Sequence, residues 1–494
     1  MKNTLKYTFL SALFLGFVAC DVDNTLPEIN GDTQNTIALK AGSIDFSKYV
    51  SIGASFTAGY TDGALFKEGQ VNSFPNTLAS KFAMIGGGDF IQPLMNDNIG
   101  GMISGGVVKL NPRFYFNGSG PTPLQEIPTT IIGVPATGAS FNNFGIPGAK
   151  SFHFIAPDYG NVAGLMTDPM TANPYFVRMS STESTLIGEA VSKKPTFFTL
   201  SEFGGNDVLG YATSGGDGTD PITPLATFDF ALGKVEEALK ATGAKGVVAN
   251  LPYITSLPHF TTVPYNPVPL DEATADALNQ GYAAYNGGIQ AALAALKTTG
   301  LFTEEEVLKR TINFTVGQGN AMVVIDESLT DLGAINPAFA ALPKYRQATA
   351  DDLFVLPLSS LIPKGYGTQI PLEDKWVLTP QEQTEIKTAV DAFNIKLKSV
   401  ADTNGYALVD FNGILQKAAT TGLQFDNYYM TTSLVTGGLV SLDGVHLTSR
   451  GYALMANEML KSIDETYGSN FSKAKNGLAK ADDYPTNYAP TLVK

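Results

Sequence analysis

Residues 196–209 read TFFTLSEFGGNDVL, a short apolar run that stops at a polar, glycine-rich turn. A continuous run of this kind suits a strand buried on both faces of a parallel sheet. Polar residues and glycines just past the carboxyl end of such a strand stand where open α/β sheets hold their ligands. The same pattern recurs at Tyr49–Ile52 (YVSI) ahead of Gly53, at Gly246–Asn250 (GVVAN), at Ala321–Asp326 (AMVVID) and at Ala407–Phe411 (ALVDF). Helical patterns lie between these runs, at Ala226–Ala241 and in the Ala-rich stretch Ala273–Leu296. The clearest one begins at Thr379, with Pro380 in its first turn and Glu382 completing a capping box. Ile386, Val390, Phe393, Leu397 and Val400 then fall on one face, and Gly405 lies beyond its end. Strands alternating with helices predict an α/β protein, a three-layer α/β/α sandwich around a central, mostly parallel sheet.

The chain has 494 residues, of which 44% are apolar and 16% charged, ample for a large core and unlike a disordered composition. Thirty-two basic against 46 acidic side chains leave a net charge of −14, the wrong sign for nucleic acid or anionic headgroups. Three His and one Cys leave too little material for a Cys/His zinc site, an iron–sulfur cluster or a disulfide framework. The one cysteine has a telling position: Lys2 and Lys6, an apolar run from Thr8 to Ala19, then Cys20. This resembles a bacterial lipoprotein signal peptide, residues 1–19, which implies lipidation of Cys20 and a chain tethered in the cell envelope, on the outer membrane. An ordinary secretory signal fits the same run. No later segment reaches the length of a membrane helix, so the expected membrane partner is held through lipid alone.

Residues 20–47 then read as a tether, 48–468 as a single domain, and 469–494 as a polar surface tail. Two insertions interrupt the domain. Residues 86–140 hold eleven glycines and six prolines with Phe114, Tyr115 and Phe116 among them, and 251–376 mixes Pro-rich segments with the Ala-rich helix and a second capping box, Thr303 with Glu306. Both follow strands whose ends can carry a site, so both are expected to shape a pocket.

Four places could carry chemistry. Ser55, in GASFTAGY after the first strand, fits an activated nucleophile or a helix cap. In SEFGGNDVL, Asn206 offers a donor to an oxyanion and Asp207 a brace, though an Asn-Asp turn reads equally well. The cluster Asn142–Ala149, with Gly145 and Gly148, reads as a turn. Asp443 and His446 sit on the loop entering the last helix, where a carboxylate three residues before an imidazole can orient it as a base or simply form a surface turn. His153 and His259 lack a ligand at useful spacing and read as structural, and Asp217, Gly218 and Asp220 read as an acidic turn rather than a calcium loop.

Taken jointly and in this order, Ser55, the Gly148 turn, Gly-x-Asn-Asp at Asn206 and Asp443-x-x-His446 resemble the SGNH hydrolase superfamily, the GDSL-type esterases and lipases. The resemblance implies Ser55 as nucleophile and oxyanion donor, Gly148 and Asn206 as further oxyanion donors, His446 as base and Asp443 as its orienting group. It also implies no cofactor and no metal. Ala54 and Phe56 stand where the family's first block commonly has Asp and Leu. The implied activity is carboxylic ester hydrolysis through an acyl-enzyme, with a small-molecule, lipid or glycan ester as substrate. Removal of acetyl groups from a glycan, and a non-catalytic ligand-binding lipoprotein on the same fold, are the alternatives.

Overall fold

The computed structural model describes residues 37–138, 140–180 and 183–494; the signal-peptide and Cys20 readings lie outside the described residues. Five parallel strands make the central sheet: β1 (Tyr49–Gly53), β2 (Asn143–Gly145), β3 (Phe197–Leu200), β4 (Lys245–Ala249) and β5 (Ala407–Val409). Every residue of β1 and β3 is buried, which is why both read as continuous apolar runs. The spatial order is β5-β4-β3-β1-β2, so the chain reverses direction across the sheet between β1 and β3. The crevice at such a reversal, beyond the carboxyl ends of the two strands, is the place where open parallel sheets take ligands.

Helices flank the sheet, α1 (Ser55–Ala58), α2 (Phe74–Ala83), α3 (Asn206–Thr213), α4 (Leu225–Thr242), α6 (Pro380–Asn404), α7 (Phe411–Thr420) and α8 (Ser449–Tyr467), while α5 (Glu272–Leu296) packs within the second insertion. On α6 the five apolar positions from Ile386 to Val400 are buried, and the Thr379 N–H donates to the Glu382 carboxylate at 2.7 Å to close the capping box. At Thr303 only half of the expected box forms: Thr303 accepts from the Glu306 N–H, while the Glu306 carboxylate turns to Arg310 and Thr330. Two glycines let α1 lie flat on the sheet. A Cβ on Gly53 would stand 2.1 Å from Thr57 Oγ1, and one on Gly145 2.2 Å from the Ala58 nitrogen. No helix among the described residues is long and apolar enough to cross a membrane.

Three expectations need correction. Asn143–Gly145 is a strand, not a turn, held by pairing with β1 and by the Asn143 amide, which donates to the Thr57 carbonyl and Gln92. The AMVVID run is not in the central sheet; Val323–Ile325 pairs antiparallel with Tyr345–Gln347. It belongs to satellite cores of the second insertion, one beneath α5 around Tyr282, Ile289 and Phe314, another around Met322, Val324 and Phe354. The tail is no loose surface segment either. Phe471 and Tyr488 are buried, and the carbonyls of Ala489 and Leu492 accept from the buried guanidinium of Arg113 at 2.8 and 3.0 Å.

Tyr467, at the end of α8, ties the last helix to the sheet. Its hydroxyl donates to the Gly246 carbonyl at 2.8 Å and accepts the N–H of Ala407 at 3.3 Å, pinning the starts of β4 and β5. Tyr467→Phe leaves these groups buried without that partner and should cost about 1–3 kcal/mol. Urea unfolding followed by circular dichroism measures it, and an unchanged midpoint would refute the pinning role.

Candidate active site

Ser55 opens α1 directly after β1 and is 8% exposed. Its hydroxyl donates to His446 Nε2 at 2.8 Å, and His446 Nδ1–H donates to Asp443 Oδ2 at 2.8 Å. The structure therefore brings Ser55, His446 and Asp443 into one hydrogen-bonded line from positions 391 residues apart. The imidazole lies between the rings of Phe56 and Tyr60, at centroid distances of 5.5 and 4.5 Å. Asp443 and His446 sit on the loop before α8, whose first turn is capped by Thr448 accepting from the Gly451 N–H. Gly444 makes that loop possible: its φ is +77°, and a Cβ there would meet the His259 nitrogen at 2.8 Å.

The Asp443 carboxylate is surrounded by donors. Oδ1 accepts from the Val445 and His446 N–H groups at 2.8 Å and from Ser441 Oγ at 3.1 Å, and Oδ2 accepts the Gly63 N–H at 2.8 Å. Burial alone would raise its pKa, but the His446 imidazole and these N–H bonds outweigh it and hold the group well below the usual carboxylate range. Beside it, Asp62 is buried with Oδ1 accepting the Leu442 N–H and Oδ2 lacking a partner among the described residues. Burial, with the Asp443 charge, pushes Asp62 up to about 7.

Asn206 is the first residue of α3, and its amide donates to the Ala149 carbonyl at 3.0 Å, which brings the Gly148 turn and the β3 loop together. The Gly145 N–H is spent on Asn143 Oδ1 at 2.9 Å, whereas the N–H groups of Ser55 and Gly148 have no acceptor among the described residues. Asp207 braces this corner, accepting from the N–H and hydroxyl of Ser151 at 2.7 and 2.5 Å.

Sequence reasoning missed Glu202. This residue adopts φ +52°, and its carboxylate reaches under α1 to accept the Ala54 N–H at 2.7 Å, the Thr57 hydroxyl at 2.8 Å and the Thr57 N–H at 3.3 Å. Ala54 has no carboxylate to offer beside the serine, and Glu202 supplies one from the opposite side of the crevice. Burial raises its pKa against these hydrogen bonds. The signal was present in SEFGGND as an acidic residue next to paired glycines, but nothing in the spacing marks its target.

The other flagged residues are occupied elsewhere. His153 accepts the Lys150 N–H at Nδ1 and stacks on Tyr159 at 4.2 Å, and burial lowers it to about 4. His259 packs behind Gly444, and burial lowers it too. Asp217 bonds to Thr219 in its own turn and Asp220 pairs with Lys150. Among the described residues, Glu327, Asp374 and Glu382 bring carboxylate oxygens within 4.8 Å of one another, and none of them belongs to the Ser55 site.

A cavity of about 110 Å³ opens at Ser55 and Asn206 and runs between α3, α7 and α8. Its walls include Leu251, Pro252, Ile254 and Leu257 from the start of the second insertion but nothing from 86–140, against expectation. The first insertion instead buttresses the Asp62 turn beside Asp443: the Phe114 N–H donates to the Asp62 carbonyl at 2.7 Å. The chain matches no protein-family model, no characterised protein and no solved structure.

The Asp62 geometry sets a pH dependence. An acid whose folded pKa is raised is neutral in both states at low pH; between about 4 and about 7 the unfolded chain releases a proton that the folded chain keeps. Stability therefore declines through that window and levels off above it. In Asp62→Asn this contribution is gone, so its melting temperature relative to wild type should be more favourable at pH 8 than at pH 5. Equal differences at both pH values would contradict the burial of an ionisable Asp62.

Proposed function

We propose that this chain is a serine ester hydrolase of the SGNH type, built on a three-layer α/β/α sandwich. The observation that carries the reading is the Ser55–His446–Asp443 line, with both hydrogen bonds at 2.8 Å. It favours an enzyme over a ligand-binding lipoprotein, because a chain without catalysis has no need to hold a serine hydroxyl on an imidazole oriented by a buried carboxylate.

In this mechanism Ser55 Oγ attacks the ester carbonyl as His446 Nε2 takes its proton. Asp443 holds the imidazole in the tautomer with hydrogen on Nδ1 and stabilises the imidazolium that forms. The tetrahedral oxyanion is met by the Ser55 and Gly148 N–H groups and by the Asn206 amide. His446 then gives the proton to the departing alcohol oxygen, leaving an acyl ester on Ser55 that water hydrolyses by the same relay. Glu202 positions α1 through Ala54 and Thr57. The same reading tethers the chain to the cell envelope through a lipidated Cys20.

The reading is tested by hydrolysis of p-nitrophenyl esters. Ser55→Ala should abolish turnover, and Asp443→Asn should lower kcat by about 10⁴-fold through loss of the productive tautomer. Asn206→Ala should lower kcat by about 10²- to 10³-fold with folding intact. Wild-type rates in Ser55→Ala would exclude the proposed nucleophile.

A further inference from the structure

We infer that the cavity beside Ser55 is an acyl-chain pocket and that the substrate is an ester of a straight-chain fatty acid of medium length; this rests on the ester-hydrolase reading. The direction follows from the tetrahedral carbon. Of its four substituents, one is Ser55 Oγ, one is the oxyanion at Asn206 and Gly148, and the leaving oxygen must face His446 Nε2 to receive its proton. Only the acyl carbon remains. The cavity begins at Ser55 and Asn206, and although Val445 and Leu447 line it, His446 is absent from its walls. It therefore lies on the acyl side, away from the leaving alcohol.

The walls match a hydrocarbon. Leu209 of α3, Ile414 and Leu415 of α7, and Leu447, Leu454 and Met455 around α8 form the sides. The two carboxylates that border it are engaged elsewhere, Glu202 with α1 and Glu458 with Lys461 at 2.7 Å. A sugar ring in this space would find few partners for its hydroxyls, which is costly in a buried site. An acetyl group would leave nearly all of it unfilled.

The length of the cavity sets the chain it takes. The cavity follows α8 from Gly451 to Glu458, a rise of about 10 Å, the length of an extended chain of about eight carbons. Chains of about six to ten carbons fit, and longer ones meet the charged Glu458 and Lys461 pair.

The test measures kcat/KM of the full chain on p-nitrophenyl acetate, octanoate and dodecanoate, for wild type, Ser55→Ala, Met455→Trp and Ile414→Trp. Each buried methylene adds favourable transfer energy, so octanoate should exceed acetate by at least about tenfold, with dodecanoate below octanoate. Either tryptophan should fill the cavity and lower the octanoate-to-acetate ratio at least about fivefold. Thermal melts confirm that the variants fold, and Ile414, only partly buried, serves if Met455→Trp does not. Ser55-dependent hydrolysis that favours acetate, or a folded tryptophan variant with an unchanged ratio, overturns the acyl pocket while leaving the hydrolase reading intact. Loss of all Ser55-dependent hydrolysis on all three esters overturns the hydrolase reading beneath it.

Discussion

A carboxylate taken out of water must be met by donors on every side, and around Ser55 this constraint operates twice. Asp443 gathers N–H groups from Gly63, Val445 and His446, the Ser441 hydroxyl and the imidazole, so that turns from the start and the end of the domain converge on one group. Glu202 does the same beneath α1, reaching Ala54 and Thr57. Removing one donor would leave a buried charge short of a partner, which costs more than a surface hydrogen bond gains. The two carboxylates hold opposite ends of one hydrogen-bonded line, one fixing the His446 imidazole and the other the helix that carries Ser55.

The parts remote from the crevice fall into place around this demand. The first insertion carries Arg113, whose guanidinium is sandwiched near the rings of Phe66 and Tyr488 and bonds to backbone carbonyls of the last segment. The second insertion builds its own cores and a buried ion triad, Arg346 between Asp326 and Asp352, and lends only its first residues to the cavity. The glycine-rich first insertion thus acts as a clamp on the Asp62 turn, not as a pocket wall.

Much of this is legible in the residues alone, and the rest fails for physical reasons. β1 and β3 are readable because burial on both faces demands an uninterrupted apolar run. The AMVVID run satisfies the same demand in a satellite core, and an apolar run carries no label for the sheet it joins. β2 is three residues, Asn, Phe and Gly, that become a strand only because β1 offers them partners. The convergence of Ser55, Asp443 and His446 is an expectation only through the SGNH resemblance; taken singly, their positions fit a helix cap and a surface turn equally well. Glu202 is not readable, because its partner Ala54 is 148 positions away and no local spacing encodes that reach. The tail misleads for a related reason: isolated aromatics such as Phe471 and Tyr488 in a polar stretch give no periodicity, yet each finds a buried slot.

The 391 positions that separate Ser55 from His446 also order events in time. Contacts of such long range form late, after the intervening loops have been closed at an entropic cost. On the proposed reading, a nascent or half-folded chain carries a serine with no base, chemically as inert as any other hydroxyl. Reactivity toward a serine-directed label would then switch on only when the first strand and the last helix have met, making Ser55 a gauge of completed folding.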